Sequence, residues 1–138
     1  MSQREIDLEP QVAALLIAQD AFRDERGRAH VIGIFDTIEA PGYPLAASFV
    51  IFCHFKGTKQ GTYQGMLRFM DSLNNVLAQT EQLTFEVTEL KAHDFFIGMG
   101  VRLPGPALYK VELVVDGIPR LWVPLMAREG RGPPGLGG

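Results

Sequence analysis

Residues 62–77 read TYQGMLRFMDSLNNVL, and whether they form a helix or strands decides the fold. Tyr63, Met66, Leu67, Met70, Leu73, Val76 and Leu77 fall at i, i+3, i+4, i+7, i+10, i+13 and i+14, the apolar stripe of an amphipathic helix. Against a helix stand the turn-forming string SLNN and the chain on either side. Apolar segments recur there at short intervals, each closed by Gly, Pro, Asn or Asp, which is the pattern of strands joined by turns.

Working outward, Val12 to Gln19 comes first, an Ala- and Leu-rich run that would also suit a short helix. Arg28 to Phe35 follows the turn DERG, and Leu45 to Lys56 follows a Pro-rich loop. Beyond the turn GTKQG come Thr62 to Asp71, the turn SLNN, Val76 to Glu89, the polar joint KAHD and Phe95 to Val101. LPGPA then turns the chain into Leu108 to Val115. Asp116-Gly117, a two-residue loop suited to a type I′ hairpin, leads into Ile118 to Ala127.

Alternation supports several of these strands. Leu77, Leu83, Phe85 and Val87 share one face, with Thr84, Glu86 and Thr88 on the other. Tyr109, Val111, Leu113 and Val115 oppose Lys110 and Glu112. In Leu45 to Lys56, Phe49, Ile51, Cys53 and Phe55 form one face and Val50, Phe52 and His54 the other, which suggests a central strand or an oligomer contact. Roughly eight short strands predict an all-β protein: a single antiparallel β-sandwich of immunoglobulin-like size. Residues 1–11 are expected to be a flexible N-terminus, 12–127 the sandwich, and 128–138 (REGRGPPGLGG) a flexible Gly/Pro tail.

At 138 residues there is room for one domain and one core. Hydrophobic residues make up 46% and charged residues 21%, a globular balance. A formal charge of -3 gives no cationic field to collect nucleic acid or anionic lipid, so neither is expected as a partner. The N-terminus has the wrong charge order for a secretory signal, and no run approaches the ~20 apolar residues that span a bilayer, so a soluble cytoplasmic protein is expected. A single cysteine, Cys53, excludes a disulfide framework and suits a reducing compartment.

At HVIGIFDTIEAPGYP (His30 to Pro44), preceded by ALLIAQDAFRDERGRA, the chain resembles a family of small bacterial proteins of unassigned function. The resemblance continues through MLRFMDSLNNVLAQ and YKVELVVDGIPRLWVPL and covers most of residues 13 to 126. An IGIFD-like strand and an AP-x-x-P loop carry it. It implies an all-β sandwich, with strands in both disputed segments, and it implies no activity.

Candidate chemistry is sparse. His30, His54 and His93 are scattered, with no HxH, HExxH or Cys-x-x-Cys spacing, so no metal or cofactor is expected. Cys53 and His54 point to opposite faces of a strand, which leaves the thiol without a base and reads as structural. Asp20, Asp24 and Glu25 are interleaved with Arg23, Arg26 and Arg28, the composition of a hairpin tip rather than a calcium loop. Gly98-Met-Gly100 lacks the third Gly and following helix of a dinucleotide site. Phe52 and Trp122 are read as core residues in preference to an exposed stacking platform.

Asp36, Glu39, Pro41 and Tyr43 form the candidate partner-binding loop, although Asp36 can equally end a strand while Pro41 and Pro44 stiffen a crossover between sheets. The expected function is therefore non-enzymatic: a protein-interaction or self-assembly module whose partner is a protein, a second copy of itself included. One alternative is a small-ligand site in the loops beside Tyr43. Another comes from Leu136-Gly137-Gly138, which resembles the ends of ubiquitin-like modifiers and would make Gly137 and Gly138 a conjugation site. A β-grasp modifier needs a helix, which only Tyr63 to Leu77 could supply.

Overall fold

A computed structural model describes residues 11–56, 60–88 and 93–130. They form ten strands and no helix: β1 (Gln11–Arg23), β2 (Ala29–Ile34), β3 (Thr37–Ala40), β4 (Leu45–Lys56), β5 (Gly61–Asp71), β6 (Val76–Gln79), β7 (Leu83–Val87), β8 (His93–Leu103), β9 (Ala107–Val115) and β10 (Ile118–Glu129). The helical stripe at Tyr63 to Leu77 is thus strand, turn and strand. Leu67 and Phe69 point inward and are buried, while Arg68 between them and Met66 before them point outward at period 2. Asp71 stops β5: its Oδ1 accepts from the Leu73 and Asn75 amides at 2.9 Å each, its Oδ2 accepts from the Asn75 side chain at 2.9 Å, and Asn74 takes φ 67°. That local turn competes successfully with helix propagation.

One sheet has the order β2-β1-β4-β8, and the other β3-β10-β9-β5-β6 with β7 also on β5. Inward residues of both sheets make one core, Ile51, Cys53 and Phe55 from the first meeting Leu67, Phe69, Val111, Leu113 and Leu125 from the second. Phe55 stacks on Phe85 at 4.9 Å and Phe95 at 5.8 Å between ring centroids. Burial of such side chains, about 1.5–3 kcal/mol each, drives the two sheets together.

Three expectations are corrected. Ten strands replace about eight, because Val76 to Glu89 is broken at Thr80–Gln82 into β6 and β7, and because Thr37–Ala40 is itself a strand. The Thr80 hydroxyl causes the break by bonding back to β5, accepting from the Leu67 amide at 3.0 Å. Pairing is not wholly antiparallel either. After β2 the chain crosses from the first sheet to the second, where β3 joins β10 in parallel. Finally, β10 continues through Glu129, two residues into the expected tail. Residues 131–138, with Gly137 and Gly138, and residues 1–10 lie outside the described residues.

The β9–β10 turn is as expected, with positive φ at Asp116 (50°) and Gly117 (77°). The β1–β2 hairpin behaves less simply. Ala18 lies in one row with Val50 and Gly98. Continued straight, β1 would carry Arg23 about 16 Å past that row, whereas Asp94 lies about 13 Å on its other side. Yet the Arg23 guanidinium reaches the Asp94 carboxylate at 2.7 Å and its carbonyl at 2.9 Å, and lies 5.3 Å from the Phe96 ring centroid. The distal hairpin therefore bends back toward the start of β8, at Gln19 and Gly33, where Gly33 holds φ 70°. At its tip Asp24 accepts from His30 Nε2 (2.8 Å), Arg28 Nε (2.8 Å) and the Arg26 and Arg28 amides (2.9 and 3.0 Å). The His30 bond, followed by those from Arg28 and Arg26, holds its carboxyl well below the usual range.

Arg23→Ala is expected to release this arm. Amide exchange across residues 20–32 rises at least severalfold while β4 and β9 keep their protection. Unchanged protection in the arm would show that Arg23 does not hold it.

Candidate interaction surface

The loop after β2 makes its contacts along β10, with Asp36, Glu39 and Pro41 still exposed. The Asp36 carbonyl accepts from the Met126 amide at 2.8 Å, and the Asp36 carboxylate accepts from the Thr37 hydroxyl at 3.0 Å. Glu39 pairs with Arg128 at 2.8 Å, and the Tyr43 hydroxyl donates to the Arg128 carbonyl at 2.7 Å. Burial raises the Tyr43 phenol above its ordinary pKa. Pro41 lies in the bend between Ala40 and the cis Tyr43-Pro44 bond. Asp36, Glu39 and Tyr43 are thereby brought together along β10, where they fasten β3 to the second sheet.

Catalytic constellations are not assembled among the described residues. Cys53 is fully buried, and desolvation pushes its thiol up to about 12. His54 sits on the opposite face of β4, its Nδ1 3.9 Å from Asp94 Oδ2. No group of three or more His, Cys, Asp or Glu side chains converges on a possible metal position among those residues. Two open grooves exist. One of about 420 Å³ runs along residues 78–83 and 97–100, and one of about 320 Å³ lies among Leu15, Ile34, Phe35, Val123 and Pro124. Among the described residues that line them, Glu81 in the first and Asp36 in the second are titratable, one carboxylate to each groove. No helix among the described residues is long and apolar enough to cross a membrane.

The outer face of the second sheet is where apolar surface collects. On β10, Val123, Leu125 and Ala127 point into the core, which leaves Trp122, Pro124, Met126 and Arg128 facing out. Register places Trp122 beside Glu112 and Arg68, Pro124 beside Lys110 and Met70, and Met126 beside Leu108. Met66, Val114 and Pro119 form the next row. Trp122 is 47% exposed, Met126 37% and Leu108 36%, while Val114 and Met70 are buried. Three of the chain's five methionines lie here. The charges among them are partnered: Arg68 with Glu112 at 3.5 Å, and Lys110 4.8 Å from the Trp122 ring centroid while donating to Asn74 Oδ1 at 3.1 Å.

Trp122 corrects the expectation of a core position, and the cause is one residue. An unbroken hairpin around Asp116-Gly117 would set Leu121 opposite Glu112 and turn Trp122 inward beside Val111. The register instead shifts between Pro119 and Leu121, so Trp122 takes the place opposite Glu112. A one-residue slip exchanges the faces of a strand. Phe52, the other residue read as core, is half-buried beside His54 on β4.

Solved structures share this fold over part of their length. A glycosyl hydrolase family 2 member from Bacteroides cellulosilyticus superposes with a TM-score of 0.51 at 15% identity, over 60% of this chain and 12% of that one. The Pseudomonas fluorescens alkylpurine DNA glycosylase AlkC, bound to DNA containing an abasic site analog, superposes with a TM-score of 0.52 at 9% identity, over 87% of this chain and 30% of that one. The chain thus spans under a third of either protein, and at these identities the likeness is one of fold alone. No curated protein matches it in sequence. A family model does match, along residues 13–128, from early β1 to the end of β10: the chain belongs to the family of unknown function DUF6941.

Proposed function

We propose that this chain is a non-enzymatic protein-interaction module of the cytoplasm, a β-sandwich scaffold that presents the outer face of its second sheet to a protein partner. The observation that carries the reading is Trp122, nearly half exposed on the β10 side of a face that also bears Met66, Leu108, Pro124 and Met126. Trp and Met are enriched where proteins meet, and Trp is the commonest energetic anchor of such contacts. Thioether side chains adapt their shape to a partner, and paired charges around them need no further neutralisation on binding. Edge pairing along β10 is a poorer route. The Met126 amide points toward β3, so Pro124, two residues earlier, turns its donorless nitrogen to the same open edge. The modifier reading gains nothing here, since Tyr63 to Leu77, its one source of a crossing helix, is β5 and β6.

The test is native capture of the tagged full chain and of its Trp122→Ala variant from the same host. The wild-type chain retains a protein in near-stoichiometric amount and the variant loses at least tenfold of it. Equal retention by both places the contact elsewhere, and no retained protein of any kind removes the reading.

A further inference from the structure

We propose that the partner on the second sheet's outer face is a second copy of this chain, packed face to face about a two-fold axis; this rests on the interaction-module reading above. Three observations favour a second copy. The first is size. The strands of this sheet, β3, β5, β6, β7, β9 and β10, hold 45 residues, and at a rise of about 3.3 Å and a spacing of about 4.8 Å they offer roughly 700 Å², close to the ~800 Å² per partner of a stable specific interface.

The second is charge. Arg68 with Glu112 and Arg128 with Glu39 are paired within the chain, and Lys110 is spent on Trp122 and Asn74. So neutralised, the part of the face around Trp122 selects no strongly acidic or basic partner and meets its own copy without like-charge conflict, Glu86 lying outside it on β7 beside Thr62. The third is geometry at the margin. Pro124 removes a donor from the open edge of β10, so strand addition beside Trp122 is disfavoured and leaves the face as the route for that apolar surface. An isologous contact of this kind closes at two copies and does not polymerise.

Sedimentation equilibrium of the purified full chain alone, from about 1 μM to about 1 mM, tests this across the affinities expected of such a contact. The expected mass is twice the 15.2 kDa chain at the upper concentrations, with Trp122→Glu and, independently, Met126→Glu returning it to a single chain. Both variants must keep the wild-type circular dichroism spectrum. Ile32→Glu, an equally exposed apolar site on the β2 arm, is expected to leave the dimer intact. A single-chain mass throughout overturns the proposal, as does a dimer that survives both second-sheet variants. If the chain alone is monomeric while native capture still depends on Trp122, a different protein occupies the face: the second-copy inference fails and the interaction-module reading stands. If neither dimer nor Trp122-dependent capture is seen, both fail.

Discussion

Phe55→Ala lowers the unfolding free energy by about 3–5 kcal/mol, measured by urea titration at constant m-value. Phe55 is fully buried near the C-terminal end of β4, between sheets, with its ring stacked on both Phe85 and Phe95. Truncation removes the transfer energy of the ring and leaves a void that β4 cannot close, because that strand is held on both sides, by β1 and by β8. Phe85 and Phe95, themselves 5.3 Å apart, lose their common neighbour. A domain of this size has about 5–15 kcal/mol in total, so the variant approaches the limit of folding. A loss under about 1 kcal/mol would mean that the aromatic cluster is not the centre of the core.

The second large effect is kinetic and concerns Cys53. With its pKa raised from 9.0 to about 12 by burial, the thiolate fraction at pH 8 falls from about a tenth to about a ten-thousandth. Labelling by a thiol reagent at pH 8 is therefore expected to be at least a thousandfold slower in the native protein than in denaturant. The sign of the linked stability follows. Between pH 9 and 12 the unfolded chain has released the proton that the folded chain retains, so stability falls as pH rises through that window and is untouched below it. Rapid native labelling would show that β4 opens readily or that the thiol is not interior.

Most of the fold was legible along the chain because its causes are local. Period-2 alternation put Phe49, Ile51, Cys53 and Phe55 on one face and Tyr109, Val111, Leu113 and Val115 on another, and all eight are buried. Asp116-Gly117 marked its hairpin because its two positive φ angles suit that turn and little else. The stripe at Tyr63 to Leu77 was ambiguous for a physical reason: seven apolar residues in such a span fit a helical face by spacing alone. Asp71 and its bonds to Asn75 settle the matter only once the turn has formed.

The site was less legible than the fold. The contacts that Asp36, Glu39 and Tyr43 make with β10 were not legible, because the residues they meet come 85 to 90 positions later in sequence. Trp122 looked interior because a large aromatic side chain is more often buried than exposed, and the register shift after Pro119 that turns it outward is set by how β10 fits against β9.

Composition and local pattern by themselves determined an all-β chain with a hydrophobic core, its turns, and the inward residues of β4, β7 and β9, because propensity and alternation act over a few residues. Tertiary structure alone decided that β3 runs parallel to β10, that the β1–β2 arm bends back to Asp94, and that Trp122 faces out. Each depends on the meeting of segments distant in the chain, where a single residue of register turns a core side chain into a surface one.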